Sequence, residues 1–408
     1  DLRAAELAGA AAGSATDPAA AAEAFVRASE HFWAVGRADV GRELAATALG
    51  ALDALDLDLR ARFLTDHVSA LLQDARPLEA HALLDGMLAA ATQVEDPALL
   101  AEAHECAGSA FEQTGDLAAA RVHFEAALGI AEEHDLAPLL ARCTYNYAST
   151  LSSVPCRAEV LALLDRVDEL VEARGVRRLL VAARTLRATE MVWAGDLDGA
   201  AEVLASLDDS VLGGVEEQAC AQVRALAALH AGADDPVAAV DEGAAGGPTW
   251  VASGCALRAE AAAWAADPDT AAREVERAGA AMAGRLDPFW SGFVAMAGVR
   301  AEADRAESGA DAGDAARRAD EIVAAWRATC ATLTARFPMT EAQDAAIVAE
   351  RARLGSDPGA AAAAARAAAE AFAGVGIPYF AAVYEWREAR ALLAAGDRTA
   401  ANRALTDR

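Results

Sequence analysis

His104-Glu105-Cys106 places three metal-binding or proton-transferring side chains in a row, the residue types of a zinc site or a base-assisted thiol. On a helix, positions 104 and 106 point about 200° apart, so the imidazole and the thiol cannot meet on one ion. The residue four after His104 is Gly108, which also removes the helical HExxH zinc motif. His31, His67, His81, His123, His134 and His230 have no partner at ligand spacing, and the sequence predicts no metal site.

Phosphate chemistry fails on composition. The glycine-rich "GAAGGPTW", Gly243–Trp250, lacks the lysine that a P-loop carries after its last glycine, and all 35 residues counted as Lys or Arg are arginine. We read the missing lysine, with asparagine only at Asn146 and Asn402, as the codon bias of a GC-rich bacterial genome. The carboxylate pairs Glu132-Glu133, Asp208-Asp209 and Asp234-Asp235 fall at expected helix ends or turns, where charge is solvated. With no nucleophile, base or metal cluster that stands apart, no enzymatic activity and no cofactor are expected.

Binding residues are easier to find. Glu102, Glu105, Ser109 and Glu112 form one polar group, and Arg142, Tyr145, Ser149 and Ser152 form the next at the same spacing. Ala182, Thr185, Thr189 and Val192 form a third. On helices each group lies on a single face. The mixture suits a polar or cationic small ligand, or a partner peptide or helix, with Tyr145 as an amphipathic anchor and Arg142 for a carboxylate.

The elements that position these residues repeat with a period of about forty residues. In "GSAFEQTGDLAAARVHFEAALGIAEEHDLAP", small or bulky residues at Gly108, Phe111, Ala120, Phe124 and Ala127 flank a Gly115-Asp116 turn. That is helix, tight turn, helix, with small residues where the helices approach and phenyl rings between them. Equivalent sets recur at Leu71, Ala75, Ala80, Leu84 and Met87, at Tyr147, Leu151, Val160 and Leu164, and at Ala188, Met191, Ala200 and Leu204. Turns are expected near Gly36, Ala75, Gly115, Pro155 and Gly195, then less regularly near Ala233, Ala266, Ala310, Gly355 and Gly396.

The expected fold is all-α, a right-handed superhelix, or solenoid, of about ten antiparallel hairpins stacked on their neighbours. Its exposed first-helix faces would line a concave groove. The irregular zone Asp234–Thr249 either divides an N-terminal array over 1–232 from a C-terminal one over 233–408, or is a long connection within one array.

Composition agrees. Hydrophobic residues make up 55% of 408, with alanine dominant and aromatics only 5%, which favours helix over strand. A net charge of −28 repels polyanions, so this chain is not expected to grip nucleic acid or anionic lipid. Six cysteines without CxxC spacing suggest reduced thiols in a cytoplasmic core. No apolar run is long enough to span a bilayer. A chain that starts at Asp1 and stops abruptly at Arg408 is expected to be an excised fragment.

The Gly108–Ala127 pattern resembles the tetratricopeptide repeat, in a long-helix variant. "GIPYFAAVYEWREARALLAAGDRTAANRAL", Gly376–Leu405, resembles the closing repeats of the large ATP-binding regulators of the LuxR type (the LAL, or STAND-type, regulators), which include the maltose-regulon activator. The resemblance implies a sensor module, placed between an NTPase domain and a helix-turn-helix domain outside this chain, that takes an effector or a partner protein. Its motifs are packing positions, so it assigns no ligand residue. The alternative is a free-standing tetratricopeptide scaffold joining other proteins. The oligomeric state stays open.

"LDPFW", ending at Trp290, and "GIPYFAAVYEW", ending at Trp386, set several aromatics beside a proline that opens a helix. Either is placed to close a ligand pocket or to dock a neighbouring domain.

Overall fold

The computed structural model describes residues 17–32, 38–174, 179–207, 215–240 and 247–406. Trp33, Gly36, Asp208-Asp209, residues 241–246 and the side chain of His31 lie outside the described residues. Within them the secondary structure is helical: twenty α-helices, one short 3-10 turn and no strand.

Two compact units result. The first draws its described residues from Asp1–Thr150, Asp165–Leu179 and Ala245–Gly247, the second from Leu151–Leu164, Leu180–Ala244 and Pro248–Arg408. The first unit contains α1 (Pro18–Phe32), α2 (Ala38–Leu49), α3 (Leu57–Gln73), α4 (Pro77–His81), α5 (Leu84–Val94), α6 (Pro97–Gln113), α7 (Leu117–Glu133) and α8 (Ala137–Leu151). The residues of α9 (Arg157–Arg174) are divided between the units. The second unit continues with α10 (Leu180–Ala194), α11 (Leu197–Ala205), α12 (Val215–His230), α13 (Pro248–Trp264), α14 (Pro268–Ala281) and α15 (Pro288–Glu307). It ends with α16 (Ala312–Ala331), α17 (Pro338–Ala352), α18 (Pro358–Gly374), α19 (Pro378–Ala394) and α20 (Arg398–Thr406).

One turn design recurs between helices. Gly115 ends α6 with φ +90°, and the amides of Gly115 and Asp116 donate to the carbonyls of Glu112 and Phe111. Asp116 then caps α7 by accepting from the amide of Ala119. One Gly-Asp pair thus stops a helix and starts the next. Gly195-Asp196 repeats the design in full. At Ala266-Asp267 an alanine takes the left-handed position, φ +56°. Ala75, another expected turn, also has a left-handed φ of +54°. Asp-Pro pairs open α6, α14, α15 and α18, the aspartate capping and the proline filling the first helical position.

Packing follows the small-and-bulky pattern. Ala120, Phe124 and Ala127 are fully buried, and a Cβ built on Gly108 would lie 2.9 Å from the Phe124 ring. The equivalent positions Ala80, Met87, Val160, Leu164, Ala188 and Ala200 are buried as well. Helices pack on the next helix and on the next but one, as α6 does on α7 and α13 does on α14 and α15.

The second unit departs from neighbour-only stacking. There α10 also packs on α19, far along the chain. The aromatic start of α19 adds two further distant contacts: Tyr379 stacks on His230 at the end of α12 with centroids 4.0 Å apart, and its hydroxyl is 2.5 Å from Trp264 Nε1 at the end of α13. Phe380 meets Phe293 at 5.5 Å, and Phe293 in turn meets Phe289 and Trp290, which links the two aromatic segments singled out above. Burying these large rings at helix ends draws distant hairpins together.

Candidate functional site

In the first unit, helices α6 and α8 bring three of the expected binding residues into direct contact. Arg142 donates through Nε to Glu105 at 2.9 Å and through Nη2 to Glu102 at 3.1 Å. Glu105 is 6% exposed and its second oxygen accepts from the Asn146 side-chain amide. Burial pushes the Glu105 carboxyl up, with Arg142 and Asn146 opposing it. Burial also disfavours the Arg142 charge, but Glu105 and Glu102 outweigh it and hold the guanidinium above its ordinary value.

Around this cluster lie three unused hydroxyls. Ser109 stands one turn beyond Glu105, while Tyr145 and Ser149 lie one and two turns beyond Arg142 on its face. None of the three hydroxyls makes a hydrogen bond among the described residues. Ser109 and Tyr145 are half-buried and Ser149 is exposed. Glu112, a further turn along α6, is half-buried too. Two carboxylates against one guanidinium leave the cluster with excess negative charge.

Thr185 and Thr189 belong to the second unit, where both hydroxyls turn back to their own helix. They donate to the carbonyls of Val181 at 2.7 Å and Thr185 at 2.9 Å. Ser152, also in the second unit, donates to the buried Glu190. Each hydroxyl oxygen keeps lone pairs that can still accept.

The carboxylates, guanidinium and hydroxyls of the cluster can hold a polar or charged group. Cys106 and Cys143, the nearest thiols, are buried, and burial with the Glu105 charge raises both well above the ordinary thiol range. A thiol so held is protonated and a poor nucleophile. No group of three or more metal-ligating side chains occurs among the described residues. All six cysteines are free.

Several contacts were not legible from spacing. His104 and His123 approach to 3.0 Å between their Nδ1 atoms, one ring donating and the other accepting, and Phe111 stacks on His123. Burial lowers both histidines. The Asn146–Glu105 bond spans 41 residues, close to the repeat period. In the second unit Glu260 Oε1 accepts from Arg300 at 2.7 Å, from Trp264 Nε1 at 3.0 Å and from the Tyr379 hydroxyl at 3.2 Å. Arg300 lies over the Trp264 ring, and Arg387 and Arg390 over Trp386, rings 48% and 38% exposed. The aromatic runs marked this region in the sequence; the arginines and Glu260 carried no such mark.

No protein-family model matches the chain, and no curated protein matches it. No helix among the described residues is long and apolar enough to cross a membrane.

Proposed function

We propose that this chain is a non-catalytic sensing and interaction module of a bacterial LuxR-type regulator. In this reading tetratricopeptide-like hairpins stack into a right-handed superhelix. Its first-helix face takes an effector or partner protein through Glu102, Glu105, Ser109, Glu112, Arg142, Tyr145 and Ser149.

The observation that supports it best is the convergence of Glu102, Glu105 and Arg142 across two helices, with three hydroxyls on the same faces left unused. The ion pairs hold the charged groups in place, so a ligand meets a preformed surface. The excess carboxylate favours a cationic or basic occupant. Occupancy regulates only if one state of the module binds better than another.

Two measurements test this. A thermal-shift screen of the whole chain against polyamines and short basic peptides, with acidic peptides as controls, should raise the melting temperature for a basic ligand. Tyr145→Ala and Glu102→Gln should remove that rise; a rise that survives both variants places the binding elsewhere. The regulator assignment rests separately on the coding sequence on either side, where it requires a P-loop before and a helix-turn-helix after. Their absence would leave a scaffold.

A further inference from the structure

Glu190 on α10 is 2% exposed, yet it lines a cavity of about 220 Å³ inside the second unit. One carboxylate oxygen accepts from Ser152 Oγ, the other from Arg157 Nε at 3.2 Å. Arg157 Nη2 donates to the Gly376 carbonyl at 3.0 Å, beyond the end of α18. Trp193 and Met339, both buried, supply apolar wall.

Neither charged group is saturated. A carboxylate offers about four acceptor directions and a guanidinium five N–H donors. Glu190 uses two of the former and Arg157 two of the latter, and Arg157 Nη1 donates to no described residue. The cavity is many times the roughly 10–15 Å³ that one water needs and below the ~300–1,000 Å³ of sites for drug-sized ligands. It suits a molecule with few heavy atoms.

The charge state narrows the class further. Glu190 and Arg157 together are neutral, so a ligand with one net charge would leave an uncompensated charge beside the buried Glu190. A molecule carrying both an ammonium and a carboxylate keeps the site neutral and uses the spare capacity of both side chains. The C-terminal end of α18, negative by its dipole, adds to the attraction for the ammonium.

We propose that this cavity binds a small zwitterion of the free α-amino-acid type. Its ammonium donates to Glu190, its carboxylate accepts from Arg157 Nη1, and its apolar side chain lies against Trp193 and Met339. The site is separate from the Glu105–Arg142 cluster and stands without the regulatory reading.

The test is calorimetric titration of the whole chain with protein amino acids offered singly to about 10 mM, where even a ~1 mM affinity saturates. L-leucine is compared with isoamylamine, which lacks the carboxylate, and isocaproate, which lacks the ammonium. At least one apolar amino acid is expected to bind saturably, with single-charge analogues roughly tenfold or more weaker. Glu190→Gln should weaken binding to a similar degree. Should that variant not fold, Val154→Trp, placed at the half-buried cavity rim, should block binding without removing a buried charge. Failure of every amino acid to bind, equal binding of the single-charge analogues, or undiminished binding by Val154→Trp would each overturn the assignment.

Discussion

Arg300 donates to Glu260 at 2.7 Å across forty residues of chain, the same separation at which Arg142 donates to Glu102 at 3.1 Å. Each pair joins helices one repeat apart, α13 to α15 and α6 to α8. The repeat period therefore appears as ion pairs as well as in the spacing of small residues. These pairs hold the register of successive hairpins and have measurable consequences.

Arg142→Ala should destabilise the first unit by about 2 kcal/mol, because it strands the buried Glu105 with only Asn146 as partner. Glu102→Ala should cost less than about 1 kcal/mol, since Glu102 and Arg142 are each more than a third exposed. Urea midpoints for the two variants give the comparison.

Glu350→Gln should be the more severe change, at about 3–5 kcal/mol. Glu350 is fully buried, accepts from Arg353 at 2.5 Å and lies 3.5 Å from Arg387 Nε. Its ion-pair partners Arg353 and Arg387, with the nearby charge of Arg300, hold its carboxyl below the ordinary range although burial opposes them. Glu321→Ala, at an exposed pair with Arg317, should stay within about 0.5 kcal/mol in the same denaturation assay.

Stability should fall as pH drops from about 6.5 towards 4 because of His67. The ring is 9% exposed, stacks on Phe63 and meets Phe25 edge-on, and burial pushes it down to about 4. The unfolded chain binds this proton below its ordinary value near 6.5 and the folded chain does not, so protonation favours unfolding, by up to about 3 kcal/mol at low pH. In thermal melts from pH 7 to 4, His67→Gln should lose less stability than the natural chain. An equal loss in both would remove His67 as the source.

Two glycines test the packing directly. Gly108→Ala should cost about 1–3 kcal/mol, because the new methyl runs into the Phe124 ring. Gly129→Ala, on the exposed face of α7 with nothing within 4 Å, should add about 0.5–1 kcal/mol. Opposite signs in one melting experiment are the expected result.

The hairpins were legible in the sequence because their determinants are local. Gly115-Asp116 specifies a stop and a start within two residues, and Gly108 opposite Phe124 specifies a close approach within one hairpin. Even the alanine turn at Ala75 followed from the period, although alanine has no preference for a positive φ; Ala266 fell among the less regular turns. What the period does not encode is contact between distant hairpins. The stacking of Tyr379 on His230 needs both ends of the second unit in place, and no spacing rule connects positions so far apart.

The site divides in the same way. Glu102, Glu105 and Arg142 meet because neighbouring repeats place equivalent positions side by side. That Arg142 is already committed to two carboxylates was not visible, since a groove position looks the same in sequence whether its side chain awaits a ligand or holds a neighbour. Thr185 and Thr189 follow the same spacing in the second unit, and each donates its hydroxyl proton to its own helix.

Hydrogen exchange of the whole chain, with and without the basic ligand that gives the largest thermal shift, tests the central claim most directly. The account predicts slowed exchange concentrated in Pro97–Gln113 and Ala137–Leu151, the helices that carry Glu102, Glu105, Ser109, Arg142, Tyr145 and Ser149. Protection confined to other helices, with these two unchanged, would contradict it.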